Sequence, residues 1–443
     1  MTSSEHARFR PTTLPRLTPL PASPDVVVIG AGAAGIAAAR TLIARGLAVA
    51  VLEARPRVGG RAVTAALRGR AIDLGAHWLH AGPINPLVAL GHARHEPMRR
   101  AAQESHLVVG RRTGTPAEQA AFGRAFDIAD RAIARAAAAP GADRPAAAGM
   151  PPALGPWRER IALVHGLVSG RPLTHVSLQD WPSMEYDENF FMDGGYGAYL
   201  ARLAHGLPIA LGSPVTRIAR TAAGVSVETA GGATVRARAA LITLPMMVLR
   251  ESVRFDPPLP DATRRAIDGF LPGIYEHAVL HWPTAPFRGR DRLASIVGGR
   301  HRPPGLFTRI EGSPFHYVEL DSVCTHAIDA RRGGPDAARR LVRTMLAEPF
   351  GHGALHDLAI PAVTEWRHDP WSRGSWAVVP PGHADARTTL QVDVEDRLWF
   401  AGEALSQAQW GTVGGAWAEG ERAAGAIAAR LDARFERISP AAA

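Results

Sequence analysis

Gly30-x-Gly32-x-x-Gly35 follows directly on Val26-Val27-Val28-Ile29, and an acidic residue, Glu53, ends a second apolar run downstream. That spacing suits one chemistry well. The first glycine allows a tight turn, the second lets backbone approach a pyrophosphate, and the third lets a helix pack close to the strand. Amide N–H groups at the helix start, around Ala33 and Ala34, favour phosphate together with the helix dipole. Glu53 is placed to accept hydrogen bonds from a ribose 2′-hydroxyl, and its charge disfavours a 2′-phosphate, so NADP is not expected. Beyond it, Ala54-Arg55-Pro56-Arg57-Val58-Gly59-Gly60-Arg61 adds two glycines and an arginine. These suit a cofactor that runs on past its pyrophosphate, as FAD does, with Arg61 meeting phosphate or flavin. A surface turn with a solvated arginine is the plain alternative.

The elements that must position these groups are legible around them. The β-branched run predicts a buried parallel strand. Ile36 to Arg45 predicts a helix closed by Gly46, and Leu47 to Ala54 a second strand, which together make a βαβ unit. From Leu87 to Arg171 the text turns alanine-rich and arginine-dotted, with Ala117–Ala139 helical, and reads as an inserted helical region. Leu207 to Leu244 returns to short strands with a Gly231-Gly232 hairpin turn. A helix is expected over Pro335–Ala347, and a strand, Leu398–Phe400, leads through a glycine-rich turn into a last helix reaching about Arg434. The fold class expected is α/β: a Rossmann-like FAD-binding domain from segments 25–86, 207–254 and 390–434, interleaved with a mixed α+β substrate-binding domain from 87–206, with the helical insertion, and 255–389.

Further blocks recur along the chain: Asp73-Leu-Gly-Ala-His-Trp-Leu-His80, Asp193-Gly-Gly-Tyr196, Leu244-Pro-Met-Met-Val-Leu249, Phe255-Asp-Pro-Pro-Leu-Pro260, Asp369-Pro-Trp-Ser-Arg-Gly-Ser-Trp376, and Phe400-Ala-Gly-Glu403 through Gly411-Thr-Val-Gly-Gly-Ala416. In their content and order, over about residues 25–432, the chain resembles the FAD-dependent amine oxidase family of monoamine oxidases, polyamine oxidases and flavin histone demethylases. The resemblance implies hydride transfer from an amine α-carbon to flavin, hydrolysis of the imine, and reoxidation by O₂ to H₂O₂. It implies a cofactor set that extends the first motif by Gly75, Ala76, His77, Trp78, Val215 and Gly402. Glu403 would lie near the ribityl-phosphate region, with Thr412 and Val413 at a helix start facing the flavin. Ser375 stands where the monoamine oxidases carry their flavin-linking cysteine, so FAD is expected to be non-covalent. Trp376 takes the aromatic position beside the amine, where cation–π attraction steers substrate. Trp410 could add a wall, and His80 a polar contact; each also suits plain core packing. Asp187, Glu188 and Asp193 could serve a polyamine or could be surface carboxylates.

One position departs from the family. A lysine that holds water against the flavin is replaced by His277, and no lysine exists anywhere in the chain. A histidine near its ordinary pKa of about 6.5 is mostly neutral at pH 7. Slower reaction with oxygen, or another electron acceptor, is therefore expected, with a rate that rises below neutral pH. The same absence admits a second reading, a flavin dehydrogenase or desaturase acting on a non-amine, and a third, a flavin-bearing scaffold.

Composition bounds the remainder. With 443 residues, 46% apolar and 21% charged, the chain is of ordinary globular make-up and long enough for two domains. One cysteine, Cys324, excludes an internal disulfide framework, and no metal site is expected. All basic side chains other than histidine are arginine; the formal charge of +9 is scattered rather than gathered into a run, which argues against a nucleic-acid partner. No apolar run approaches the roughly 20 residues of a membrane span, and no export signal is evident in residues 1–24, which read as a mobile tail. A cytoplasmic enzyme with a small-molecule amine substrate follows as the expectation; a homodimer is common in the family it resembles, and the sequence itself does not specify the oligomeric state.

Overall fold

A computed structural model describes residues 5–102, 105–181, 188–331 and 333–438. Val26–Ile29 is buried along its whole length, as its unbroken apolar text requires, and is the central strand of a five-stranded parallel sheet. Ala239–Ile242 and Val49–Leu52 flank it, and Leu398–Phe400 and Ile209–Ala210 form the edges. Segments from both ends and the middle of the chain thus share one sheet. The helix Ala33–Ala44 connects the first two strands and lies against the closing helix Val413–Ile438. Their approach is close: a Cβ on Gly420 would stand 2.2 Å from the Ala34 carbonyl oxygen.

The second large sheet has seven strands in the order Ala359–Val363, Glu276–His281, Phe315–Leu320, Gly305–Thr308, Arg292–Val297, His106–Val109 and Arg112–Thr113. Its last two strands come from the stretch expected to be helical. Leu107 and Val108 are buried, and His106–Val109 runs parallel to Arg292–Val297, a pairing with a distant segment that local text does not announce. The alanine-rich part does form a helix, Pro116–Ala138, opened by a Thr115–Glu118 capping box. A second helix, Arg158–Ser169, follows and ends at Gly170 in the left-handed conformation. A four-stranded sheet built from Val215–Thr221, Gly224–Thr229, Thr234–Ala237 and Arg254–Asp256 sits beside the parallel sheet.

The described part of the N-terminal stretch is not a loose tail. Thr12 and Thr18 donate backbone hydrogen bonds to Thr64 and Leu207, and Leu17 and Leu20 pack against the two cores flanking the parallel sheet. Proline removes donors but leaves apolar surface, and these leucines bury it. No described helix is long and apolar enough to cross a membrane.

Candidate active site

The glycine motif forms a cradle. Gly30 has φ +106°, and a Cβ on it would meet the Thr243 hydroxyl at 2.6 Å; a Cβ on Gly35 would meet the Gly30 carbonyl oxygen at 1.9 Å. Gly32 faces Gly60 across an open gap, its nearest contact for an added Cβ being 3.9 Å away. Side chains are thus excluded where a phosphate would come closest to the helix start. Glu53, 6% exposed, accepts from Ala31 N–H at 2.7 Å and Arg55 N–H at 2.8 Å, which fixes its carboxylate at the end of the second strand. A carboxylate has about four lone-pair sites, so acceptors remain for a ribose. Arg55 reaches away from the cradle, to Asp369 at 2.6 Å and Ser372 at 2.7 Å, both buried.

Three motifs far apart in sequence meet at Glu403. Its carboxylate pairs with Arg61 at 3.1 Å and accepts from the backbone N–H of Ala377 and of Gly411. Arg61 also donates to the Ser375 carbonyl at 2.9 Å. Thr412 caps the closing helix by accepting from Gly415 N–H at 2.9 Å, so the positive end of that helix opens towards the same space.

From this cradle a cavity of about 950 Å³ continues past Gly75, Ala76 and Val413 into an aromatic chamber. His277 stands on its floor, 2% exposed, and neither ring nitrogen has a hydrogen-bond partner. The His77 ring lies edge-on to it at 5.0 Å, and both rest on Tyr317, at 4.7 and 4.9 Å between centroids. His77 donates from Nδ1 to the Gly75 carbonyl at 3.3 Å, which leaves Nε2 as an acceptor without a partner. Tyr275 lies 5.0 Å from the His277 ring and 5.3 Å from Trp376. Trp376 is held firmly: its indole N–H donates to Ser169, and a Cβ on Gly170 or Gly273 would collide with its ring. Trp78 stacks on His80, whose Nδ1 bonds Asn189 at 2.9 Å.

Burial dominates the titration of these groups. It pushes His277 down to about 3 and His80 to about 4, and holds His77 well below its ordinary value, where the neighbouring His277 adds to the effect. The expectation that acid would charge His277 and speed the reaction is thereby overturned. The imidazole sits in a desolvated aromatic pocket, without an ion pair among the described residues, and remains neutral at any pH near neutrality.

All but two of the expected site residues line this one cavity. Gly35 acts from behind, by admitting the helix. Val215 does not line it; it is buried in the core beneath the parallel sheet, paired with Thr229. Trp410 is also placed differently. It is fully buried, with Arg387 over its ring at 4.7 Å, and forms no wall of the chamber. Glu188 pairs with Arg100 and Asp193 with Arg99, as surface carboxylates do, and Asp187 lies outside the described residues.

Sequence reading missed the chamber's far end. Arg160, Val164, Leu167 and Val168, spaced along one face of the helix Arg158–Ser169, line it together with Gly305 and Glu319. Helical periodicity could have flagged Arg160; nothing local to Glu319 distinguishes it from a strand-surface acid.

The cradle, the glycine-lined gap and the helix-start donors fit FAD. Glu53 would hold its ribose, Gly32 and the helix start its pyrophosphate, and Gly402, Thr412 and Val413 the flavin end. Ser375 can form no thioether, and its hydroxyl is engaged with the Tyr275 carbonyl at 2.6 Å.

Known proteins resemble this chain over most of its length. Residues 151–428 match the family model for flavin containing amine oxidoreductases, and residues 28–89 that for an NAD(P)-binding Rossmann-like domain. The chain is 30% identical to polyamine oxidase 2 of Arabidopsis thaliana, with 94% of this chain and 90% of that one aligned. It is 28% identical to human lysine-specific histone demethylase 2 over 91% of its own length, and spans about half, 53%, of that longer protein. Among solved structures, putrescine oxidase bound to putrescine superposes with a TM-score of 0.77 at 20% identity, covering 92% of this chain and 99% of that one, which establishes a shared fold.

Proposed function

Because the chain belongs to the flavin containing amine oxidoreductase family and takes FAD as its cofactor, we propose that it oxidises a primary or secondary amine to an imine, which water hydrolyses to an aldehyde or ketone. The observation that carries this reading is the continuity of one cavity, from the dinucleotide cradle to a chamber walled by Trp376, Tyr275 and neutral imidazoles. When bound, FAD supplies the acceptor for a hydride from the substrate α-carbon.

The chain's own residues do the rest. Trp376 and Tyr275 bound a slot whose π faces attract an amine as it arrives, and whose apolar surface favours the neutral form that reacts. The substrate loses its α C–H hydrogen with both electrons, its nitrogen lone pair forms the C=N bond, and an N–H proton departs. His277 and His77, uncharged and with open ring nitrogens, offer hydrogen-bonding sites at the chamber floor without a charge to oppose the developing iminium. The positive end of the closing helix, at Thr412 and Val413, would favour negative charge on a cofactor bound there. No side-chain base is needed, since deprotonating the ammonium is the activation.

Dioxygen, taking up two electrons and two protons to give H₂O₂, is the acceptor we assign. With neutral His277 in place of a fixed cation, superoxide-like charge gains less stabilisation, so reoxidation in air is slow, and a second electron acceptor is favoured in the cell. We assign the enzyme to the cytoplasm as a homodimer. Anaerobic mixing of the yellow protein with a panel of amines tests the function. Bleaching by amines, with recovery on admitting air, supports it. Reduction by dithionite but by no amine would remove it in favour of a dehydrogenase of non-amine substrates.

A further inference from the structure

Two opposite charges are buried along the chamber wall, and neither is explained by oxidation of a simple amine. Glu319 is 5% exposed. It stands in register between His277 on one neighbouring strand and Gly305 on the other. A Cβ on Gly305 would fall 1.7 Å from Glu319 Oε2. Only glycine at that position clears room for the carboxylate. The Tyr275 side chain hydrogen-bonds to it. Arg160 is 3% exposed; its Nη1 donates to the Pro303 carbonyl at 3.0 Å, and its Nε has no partner. Among the described residues no carboxylate stands within ion-pair distance of Arg160, although Glu319 is near enough for each to favour the other's charge. Burial works against both: it raises the Glu319 carboxyl and lowers Arg160 to about 10.

Both face the cavity: Glu319 lies on the Trp376 side, hydrogen-bonded to Tyr275, which stands 5.3 Å from Trp376, and Arg160 lies farther along. Trp376 is tied to Ser169, nine residues beyond Arg160 on the same helix, or about 13 Å along the axis. The separation leaves length for an extended substrate. Electrostatics then selects its far end. A monoamine leaves the two desolvated charges with each other at a distance and one hydrogen bond apiece, from Tyr275 and to Pro303. A diamine answers Glu319 but brings a second cation beside Arg160. A group that carries ammonium and carboxylate together answers both, and such matched, charge-assisted contacts are the strong ones in a dry site.

We propose that Glu319 and Arg160 form a subsite for a zwitterionic end group, so that the preferred substrate is an amine whose opposite end is an α-amino acid, ammonium to Glu319 and carboxylate to Arg160. This rests on the amine-oxidising reading of the cavity. The oxidised amine is the one remote from the amino-acid end.

Four compounds of one chain length test it: pentylamine, cadaverine, ε-aminocaproate and lysine, which carry neither distal charge, the ammonium, the carboxylate, and both. Calorimetric titration of the dithionite-reduced holoenzyme under argon reads binding without turnover; kcat/KM in air reads the reaction. Lysine is expected to bind at least about tenfold tighter than cadaverine or ε-aminocaproate. Glu319→Gln should lower lysine to the level of ε-aminocaproate, and Arg160→Gln should lower it to that of cadaverine. An unchanged flavin spectrum in each variant verifies the fold. Equal binding of all four, or cadaverine binding above lysine, overturns the proposal. Selective lysine binding with no bleaching of the oxidised flavin would leave the subsite standing and remove the amine-oxidase reading instead.

Discussion

Acid should destabilise this protein well before its carboxylates titrate, and His277 should account for a measurable share. Burial depresses His277 to about 3, and His165 and His316 to about 4. These three are at most 4% exposed. In the unfolded chain each returns to about 6.5. The sign follows: between the folded and unfolded values the unfolded state binds more protons, so stability is present above about pH 6.5 and is lost as pH falls towards 4. At pH 5 each group is about 1.5 units below its unfolded value, or about 2 kcal/mol, and the three together reach about 6 kcal/mol. Asp73 works in the opposite direction. Burial raises it to about 6, against its hydrogen bonds from Thr64, Tyr196 and Gly197, so protonation favours the fold and offsets about 1 kcal/mol of the loss at pH 5. The net is comparable with the whole stability of many proteins. Urea unfolding of the holoenzyme, followed by tryptophan fluorescence at pH 7 and pH 5, measures it. In His277→Leu the loss between the two pH values should shrink by about 2 kcal/mol, whatever the variant does at pH 7. A wild-type midpoint that is flat or rises on acidification, or a variant with the full wild-type loss, would refute the reasoning.

Other outcomes are expected at the cofactor site. Gly35→Val places side-chain atoms where the Gly30 carbonyl stands and should give colourless protein, read by the ratio of flavin to protein absorbance. Glu403→Gln removes the charge opposite Arg61 and one acceptor for the Gly411 or Ala377 amide; FAD should bind about 10- to 100-fold more weakly in fluorescence titration, and unchanged affinity would count against a role for Glu403 in shaping the site. His277→Lys puts an ammonium in the same cross-strand row as Glu319 and should accelerate reoxidation by air several-fold in stopped flow; an unaltered rate would dissociate His277 from oxygen reactivity.

The parts of the site visible in the sequence were those whose chemistry is local. Gly30, Gly32, Gly35 and Glu53 declare themselves because turn, strand and helix fall within one βαβ unit. Trp376, Glu403 and Val413 were legible through blocks of text, yet their meeting with Arg61 is a tertiary event. The response of His277 to acid was not legible because its burial beneath Tyr317 and His77 is contributed by two other segments. Arg160 and Glu319 escaped for the same reason. A carboxylate becomes distinctive only once Gly305, from another strand, is set against it. The strand His106–Val109 and the packed N-terminal stretch were likewise decided by distant partners, Arg292–Val297 for the first and Thr64 and Leu207 for the second.

The junction of Arg61, Ser375, Ala377 and Gly411 at Glu403 has a consequence for biosynthesis. A ribosome releases Gly30–Arg61 well before the edge strand Leu398–Phe400, the carboxylate of Glu403 and the helix Val413–Ile438 that backs the first glycines. Until those emerge, the first βαβ unit has an uncovered helix face and a cradle open on one side. Cofactor capture thus waits for residues 398–438, and a chain that stops short of them loses the flavin together with the surface that hides its first helix.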